Sequence, residues 1–511
     1  MNRSAMLDQL ADSSTEWDVI VIGGGATGLG IAVDSATRGL KTLLLEQADF
    51  SEGTSSRSTK LIHGGVRYLR GGEVGLVRES LRERGRLLHN APNLVRKLSF
   101  VVPAYRWYER IFYGTGLVLY DFLAGKLGIE STGHLAKSKT LEKIPNLNPE
   151  GLRGGTLYWD GQFDDARLSV ALARTAAANG AAILNHVRVT GLQKNGAGKV
   201  NGIEAKDLQS GKSYSATGKI VINATGVFTD SVRKMDEPKA ENVIAPSQGI
   251  HIVLDAEFLG GETAIMIPNT DDGRVLFAIP WYGKLVLGTT DTADVPVELN
   301  PRPLEEEIDY LIEHAGRYLV KAPKREDVRA TFAGLRPLVR PPAPKTEDGE
   351  TEKKETSKIS RSHSLFVSKS GLLTIAGGKW TTYRQMAEDA VDKAIKLAKL
   401  NPEQSCSTKD LTLLDREESE IKELMESDPS LLEKLASGLP WRMADVVYAV
   451  RNEMAQTLVD VLARRTRVLF LDETAARKCA HPVAQLMARE LGKNETWIAE
   501  QLKLMREVEG L

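Results

Sequence analysis

Residues 17–46 read WDVIVIGGGATGLGIAVDSATRGLKTLLLE and decide how the N-terminal part of the chain folds. The apolar run from Val19 to Ile22 has the composition of a buried parallel strand. Three glycines follow in G-x-G-x-x-G spacing and open a helical segment: Gly23, Gly25 and Gly28. Lys41 to Leu45 predicts a second strand that ends at Glu46. This order of strand, glycine turn, helix, strand and acid predicts a unit that binds an ADP-containing dinucleotide. The alternative is an ordinary glycine-rich turn.

The glycines have separate physical roles in such a unit. Gly23 permits the tight turn, Gly25 lets backbone approach a pyrophosphate, and Gly28 lets the helix pack closely on the sheet. The helix N-terminus directs its positive dipole end at the phosphates. Glu46 lies where a carboxylate accepts hydrogen bonds from ribose hydroxyls. That role suits a ribose without a 2′-phosphate, so FAD or NAD fits better than NADP.

Length and composition limit the class of protein. A chain of 511 residues predicts two or three domains. A net charge of −1 provides no general attraction to nucleic acid. Cys406 and Cys479 form neither a disulfide framework nor a metal-ligand pattern. The polar start, without a secretory signal or a long apolar run, predicts a cytoplasmic protein, which does not exclude lying on a membrane.

Three further segments carry candidate chemistry. The hydroxyl-rich loop before Lys60 can hydrogen-bond phosphate oxygens, and the A-T-G of Ala224 to Gly226 ends a buried strand where backbone can pass close to a nucleotide. The segment from Gly377 to Arg384 opens a helix with two glycines and a lysine. Short β-rich runs from Ala245 to Leu287 predict an antiparallel sheet, and the chain beyond Asn401 predicts an α-helical domain.

The stretch from Arg106 to Leu127 is aromatic-rich and has basic residues at both ends. That composition suits a segment at a membrane interface, with aromatic side chains toward the headgroups. A substrate-domain helix with one buried face is the alternative.

Several motifs occur in one order along the chain: GGGATG, SSRSTKLIHGGVRYL, ATG, GIHIV, FAIPW, GTTD, GLRPL and AGGKWTTYR. This pattern resembles the FAD-dependent glycerol-3-phosphate dehydrogenases. The resemblance implies an α/β fold: a glutathione-reductase-like, Rossmann-type FAD-binding domain, an antiparallel β-sheet substrate domain and a C-terminal α-helical domain. The implied boundaries are 14–90, 150–240 and 360–400 for the FAD-binding domain, 91–149 and 241–359 for the substrate-binding cap, and 401–511 for the helical domain.

The resemblance also implies an activity. It is the oxidation of sn-glycerol 3-phosphate to dihydroxyacetone phosphate by a tightly held FAD, with electrons passed to a membrane quinone. The expected location is peripheral, on the inner face of the cytoplasmic membrane. A homodimer is left open. The rival hypotheses are a glycerol-3-phosphate oxidase that uses oxygen, a flavin amine or amino-acid oxidase, and a non-catalytic flavoprotein.

Site residues are implied where the family motifs match. The FAD contacts are Gly23, Gly24, Gly25, Gly28, Glu46, Thr54, Ser55, Ala224, Thr225, Gly226, Gly377, Gly378 and Lys379. The substrate contacts are Arg67, Tyr68, His251, Arg336 and Lys379. One departure from the family pattern is the long charged loop 341–358, which would bear on acceptor access or on oligomer contacts.

The substrate chemistry suggests a role for each of these side chains. A phosphate dianion calls for the planar, bidentate geometry of arginine, so Arg67 and Arg336 are the candidates; a structural ion pair is the alternative for either. A neutral histidine can take the hydroxyl proton near pH 7, with His251 as first choice and His63 as runner-up. Lys379 would stabilise negative charge at a helix start.

Overall fold

A computed structural model of the chain describes residues 1–70, 72–268, 270–271, 273–340 and 362–509. The charged loop 341–358 lies outside the described residues. The described strands are β1 Glu16–Ile22, β2 Thr42–Leu45, β3 Leu61–Ile62, β4 Val95–Ala104, β5 Gly133–Leu135, β6 Gly154–Phe163, β7 Ala182–Leu184, β8 Val187–Lys194, β9 Val200–Asp207, β10 Ser213–Asn223, β11 Ile244–Asp255, β12 Ala264–Ile267, β13 Leu276–Trp281, β14 Lys284–Gly288, β15 Thr292–Ala293, β16 Ala330–Val339, β17 His363–Val367 and β18 Leu373–Gly377.

The described α-helices are α1 Arg3–Ala11, α2 Ala26–Thr37, α3 Arg67–Arg70, α4 Val74–Asn90, α5 Glu109–Ala124, α6 Lys137–Lys143, α7 Asp165–Ala178, α8 Thr229–Asp236, α9 Glu305–Gly316, α10 Tyr383–Ala398, α11 Glu418–Ser427, α12 Met443–Asn452, α13 Glu473–Leu491 and α14 Glu495–Glu509. Among them, none combines the length and apolarity that crossing a lipid bilayer requires.

The first sheet has the strand order β17-β18-β10-β1-β2-β7, and β8 and β9 extend it beside β10. Strands β18, β10, β1, β2 and β7 run parallel, as the dinucleotide-binding pattern predicts. The run after Asp18 is apolar throughout because both faces are covered. Val19 and Val21 pack against α2, α7 and α10, whereas Ile20 and Ile22 pack on the side of α1, β8 and β9. Parallel register aligns Ile22 with both Leu45 and Asn223, so the three chain segments leave the sheet at one edge.

The second sheet follows the order β15-β11-β14-β13-β12-β4-β6-β3, with β16 paired to β11 and β5 to β6. Its pairs are antiparallel apart from β4 with β12. The predicted fold class is confirmed. The predicted segment 150–240 begins with β6, which belongs to this second sheet because it pairs with β4 along its whole length. The domain boundaries themselves stay a prediction. Helices α11 to α14 make the C-terminal part helical, as expected.

Candidate functional site

The glycine turn after β1 leaves no room for side chains. Gly23 has a φ of +109°, and a Cβ there would lie 2.7 Å from the carbonyl oxygen of Ala224. A Cβ on Gly28 would lie 1.9 Å from the carbonyl oxygen of Gly23. The Gly24 N–H donates to Glu46 Oε2 at 2.6 Å. Gly24 and Gly28 therefore shape the turn, while Gly23 and Gly25 line a cavity beside it.

This first cavity has a volume of about 460 Å³ and lies at the edge where the parallel strands end. Its walls include the following predicted cofactor residues: Gly23, Gly25, Glu46, Thr54, Ser55, Ala224, Thr225, Gly226, Gly377, Gly378 and Lys379. Gly226 adopts a φ of +58°, and a Cβ there would meet nothing within 4 Å. A cavity with a glycine turn at a helix N-terminus and an acid at the next strand end fits an FAD molecule.

Glu46 is anchored by backbone. Its carboxylate accepts N–H groups from Gly24 at 2.6 Å and from Ala48 at 2.9 Å. Burial raises the pKa of Glu46, and the two N–H groups act in the opposite direction. A carboxylate held this way keeps lone pairs toward the cavity for ribose hydroxyls.

The hydroxyls of the loop after β2 bind protein groups. Thr54 Oγ1 donates to the carbonyl of Leu335 at 2.6 Å. Ser55 Oγ accepts the N–H of Ala26 at 3.0 Å, and the Ser55 carbonyl accepts Trp380 Nε1–H at 2.7 Å. The loop thus ties the start of α2 to the G-G-K-W segment from the far end of the sequence. Direct phosphate contact by these hydroxyls stays a prediction.

A second cavity of about 200 Å³ adjoins the first. Both cavities share the walls formed by Thr54, Pro337, Gly377, Gly378, Lys379 and Trp380. The second also contains the predicted substrate residues Tyr68, His251 and Arg336, together with His63, the runner-up for the base. Four of the five predicted substrate residues therefore meet in one place. The fifth, Arg67, begins α3, and its side chain lies outside the described part of the structure.

Arg336 lies on β16 and is held from several sides. Nη1 donates to the Gln248 carbonyl at 3.0 Å and approaches Asp291 Oδ1 at 3.3 Å. Nη2 donates to the Thr290 carbonyl at 2.8 Å. A Cβ on Gly249 would lie 2.1 Å from Nη2, so this glycine makes room for the guanidinium. Arg336 therefore forms the ion pair that was its alternative interpretation, and it also lines the cavity. Phosphate binding by its guanidinium stays a prediction.

His251 lies on β11 between β14 and β16. Its ring stacks on Phe332 with centroids 4.8 Å apart, and Nε2 is 2.9 Å from Thr59 Oγ1. Nδ1 is enclosed and finds no hydrogen-bond partner among the described residues. Burial lowers the pKa of His251 well below its ordinary value, and the charges of Lys60 and Arg336 lower it further. The imidazole is therefore neutral near pH 7, as a proton acceptor must be.

Lys379 lies over the aromatic ring of Tyr68 at the wall of the second cavity. Lys379 Nζ lies 4.5 Å from the Tyr68 ring centroid and donates to Ser80 Oγ at 2.8 Å. Gly65 has a φ of +77°, and a Cβ there would lie 2.3 Å from the Tyr68 ring. His63 lines the same cavity, with its ring 6.4 Å from that of Phe277.

Sequence reasoning missed part of this surrounding structure. Asp291 and Thr59 lie inside the quoted motifs G-T-T-D and S-S-R-S-T-K. Their polar character did not distinguish them from the other polar residues of those motifs. Next to Phe332, Lys60 Nζ donates a hydrogen bond to Asp165 at 2.8 Å. Burial lowers the pKa of Lys60 to about 7. Asp165 also accepts Arg467 at 2.8 Å. No sequence motif points to Arg467, since it lies in the C-terminal helical segment.

Family models match most of the chain. The FAD dependent oxidoreductase model matches residues 18–384. The model described as the C-terminal domain of alpha-glycerophosphate oxidase matches residues 415–497.

Individual relatives agree with these models. A probable mitochondrial glycerol-3-phosphate dehydrogenase of Caenorhabditis elegans is 40% identical over 536 residues, covering 96% of this chain and 73% of its own. The mitochondrial glycerol-3-phosphate dehydrogenase of Homo sapiens is 40% identical and covers 99% and 74%. A crystal structure of the glycerol-3-phosphate dehydrogenase from Bacillus halodurans, complexed with FAD, is 30% identical with a TM-score of 0.77 over 99% of this chain and 97% of its own. An L-alpha-glycerophosphate oxidase of Mycoplasma pneumoniae, 18% identical with a TM-score of 0.59 over 79% of this chain and 100% of its own, shares the fold.

Proposed function

The chain belongs to the family of FAD-dependent glycerol-3-phosphate dehydrogenases, and from this premise we propose that it oxidises sn-glycerol 3-phosphate to dihydroxyacetone phosphate and passes the electrons to a membrane quinone. The observation that carries the proposal is the pair of adjoining cavities. One has the glycine turn and acid of a dinucleotide site, and the other has Arg336, Lys379 and a neutral His251.

The second cavity suits a small phosphorylated alcohol. The Arg336 guanidinium supplies a fixed positive charge for a phosphate dianion, and its carbonyl partners hold it in place. Lys379 adds positive charge at the wall shared with the cofactor cavity. FAD, when bound, supplies the oxidising power for the two-electron step. His251 would hold the proton lost by the alcohol, and its burial keeps the imidazole unprotonated until then.

The direct test is an anaerobic titration of the purified yellow protein with glycerol 3-phosphate. We expect the flavin absorbance to bleach, and inorganic phosphate should compete. A flavin that stays oxidised at saturating substrate would refute the activity. Bleaching by an amino acid, without competition by phosphate, would favour the amine or amino-acid oxidase.

A second step of the same experiment identifies the electron acceptor. Reduced protein is mixed either with a soluble quinone analogue or with oxygen, and reoxidation and peroxide are measured. Fast reoxidation by the quinone with little peroxide is expected. Rapid peroxide formation would instead identify an oxygen-dependent glycerol-3-phosphate oxidase.

Helix α5 supports the membrane part of the proposal. One face is buried through Leu117 and Tyr120, whose hydroxyl accepts the Gly64 N–H at 2.6 Å and donates to Asp160. The other face exposes large apolar side chains, including Ile111 at 64%, Phe112 at 58% and Phe122 at 80%, with Trp107 at 72% just before the helix. Such a cluster fits the interfacial region of a bilayer, where a lipid-soluble quinone is available. We propose peripheral association with the inner face of the cytoplasmic membrane.

Vesicle flotation tests this surface. The double variant Phe112→Ser/Phe122→Ser should lose at least about tenfold of its partitioning into phosphatidylcholine–phosphatidylglycerol vesicles, because each phenyl ring contributes on the order of 2 kcal/mol when it leaves water. Its activity with a soluble acceptor should remain. Val367→Ser is the matched control, since Val367 is 42% exposed on β17, the edge strand of the first sheet. Equal flotation of all three proteins would contradict the assignment.

A further inference from the structure

The hydroxyl of Thr59 lies beside the His251 ring, and both residues line the second cavity. Thr59 is half-buried and lines the second cavity, and its Oγ1 is 2.9 Å from His251 Nε2. The next residue, Lys60, has a φ of +61° and is fastened through Nζ to Asp165 at 2.8 Å and to the Ser56 carbonyl at 2.8 Å. Because the side chain of the following residue is anchored, the backbone that carries Thr59 is held in place.

The imidazole has little freedom to present another atom. One face stacks on Phe332 at an interplanar angle of 18°, and a Cβ on Gly288 would lie 2.2 Å from the Cδ2 atom of His251. The side chain is 3% exposed, and the enclosed Nδ1 has no polar partner in the described part of the chain. Nε2 is therefore the ring nitrogen through which a proton can arrive, and Thr59 occupies its hydrogen-bonding direction.

We propose, building on the activity proposed above, that Thr59 is a catalytic residue that relays the proton of the substrate hydroxyl to His251. The O–H bond at the carbinol carbon breaks, and its proton bonds to Thr59 Oγ1 while the original Thr59 proton passes to His251 Nε2. The carbinol carbon loses its hydrogen together with two electrons to FAD, the oxidant used in this family. The alcohol thereby becomes a ketone. His251 ends as an imidazolium and Thr59 as a neutral hydroxyl.

The charges around the ring are consistent with this transfer. Lys60 and Arg336 face His251 from the loop before β3 and from β16, and they are paired with Asp165 and Asp291 respectively. Both cations oppose an imidazolium in the empty pocket. A phosphate dianion bound at Arg336 would offset them, so proton acceptance is favoured when substrate is present.

Hydroxyl deletion tests the relay in the flavin-loaded protein. Thr59→Val keeps the shape of the side chain and removes the hydroxyl, so the rate of flavin reduction by glycerol 3-phosphate should fall roughly 10²-fold or more. Thr59→Ser retains the hydroxyl and should stay within about tenfold of the unmodified protein. The Kd of inorganic phosphate, measured by flavin absorbance, should change less than about threefold in both variants.

Thr381→Val is the matched control. Thr381 is buried, lines the same cavity and donates to the His63 carbonyl at 3.3 Å rather than to His251. The rate of flavin reduction should fall less in Thr381→Val than in Thr59→Val. Three outcomes would overturn the relay: an unchanged rate in Thr59→Val, an equal loss in Thr59→Ser, or a loss of phosphate or flavin binding that matches the loss of rate.

A second measurement does not depend on turnover. The relay requires Nε2 to accept, so the proton of the neutral ring must reside on Nδ1. In ¹⁵N-histidine-labelled protein, with His251→Gln identifying the signal, Nε2 should show the shift of an unprotonated nitrogen. A protonated Nε2 beside intact activity would refute the relay alone. Failure of glycerol 3-phosphate to bleach the unmodified protein would refute the proposed function and the relay together.

Discussion

Charged side chains at the site are matched to opposite charges outside the cavity. Arg336 pairs with Asp291, and Lys60 pairs with Asp165, so two cations lie near His251. Among the described residues, no carboxylate forms a salt bridge with the His251 ring. An unpaired buried charge is costly, and these pairings allow positive charge to persist where a phosphate binds. A substitution of Arg336 or Lys60 therefore also leaves its carboxylate partner without a counter-charge, and the effects on both residues must be considered together.

Lys379 is the residue whose removal should most directly lower turnover. Its ammonium lies at the wall that both cavities share, where negative charge develops as the alcohol is oxidised. Lys379→Ala should lower turnover on the order of 10²-fold or more, as for other preorganised charge donors. Steady-state kinetics at measured flavin content check this. The exposed Lys219→Ala serves as control, and a small loss in a fully flavinated Lys379→Ala protein would contradict the role.

The acid limb of the pH profile should respond to Lys60. A general base acts when it is unprotonated, so kcat/KM falls as the pH drops through the pKa of His251. A lowered pKa of His251 therefore places this acid limb at lower pH. Lys60 has a pKa of about 7 and is therefore charged below pH 7, where it opposes protonation of His251. Lys60→Met should raise the pKa of His251 and move the limb of kcat/KM to higher pH by up to about one unit.

The comparison with unmodified protein removes the contribution of the substrate phosphate, which also ionises near pH 6. Lys97→Met, at an exposed lysine paired with Glu130, provides the matched control. A limb that stays in place in Lys60→Met, or moves to lower pH, would show that Lys60 does not influence the base.

Among the secondary-structure elements, the start of α2 is the least tolerant. Gly28→Ala would bring a methyl group to 1.9 Å from the Gly23 carbonyl oxygen, so the helix must move away from β1. We expect a loss of about 1–3 kcal/mol in stability and a clear loss of bound flavin. Gly75→Ala, also within a helix, adds a methyl that meets nothing within 4 Å and should leave flavin content unchanged. The ratio of flavin to protein absorbance distinguishes them; equal flavin in both proteins would contradict this packing argument.

At the scale of the whole molecule, buried ion pairs join the C-terminal helical segment to the nucleotide-binding sheet. Asp49 follows β2 and accepts Arg464 Nε at 2.5 Å and Arg465 Nη1 at 2.7 Å. Burial raises the pKa of Asp49, but the two guanidinium groups outweigh it and hold the pKa below its ordinary value. Arg167 on α7 pairs with Glu453 at 2.7 Å. These pairs place the helical segment against the loops that line both cavities.

Asp49→Asn should therefore destabilise the entire protein. Two buried guanidinium groups would lose their shared carboxylate, which costs about 3–5 kcal/mol. The urea midpoint, followed by flavin release and by circular dichroism, should fall markedly. Asp309→Asn is the matched control, because its pair with Arg325 is exposed and contributes little. Equal midpoints for the two variants would show that the buried pair does not hold the segment.

The sequence by itself determined the nucleotide-binding fold and most candidate site residues. Val19 to Ile22, the glycine spacing and Glu46 depend on local sterics and strand burial, which neighbouring residues dictate. The later motifs named Arg336, His251 and Lys379 through resemblance, without showing that they meet.

Only the tertiary structure decided which groups surround those residues. Thr59 reaches His251 across 192 positions of sequence, and Arg467 reaches Asp165 across 302. Such contacts depend on how β3, β11 and the helical segment come together. A hydroxyl or an arginine has the same local preferences whether it faces a partner or water, so no local pattern reveals these pairings.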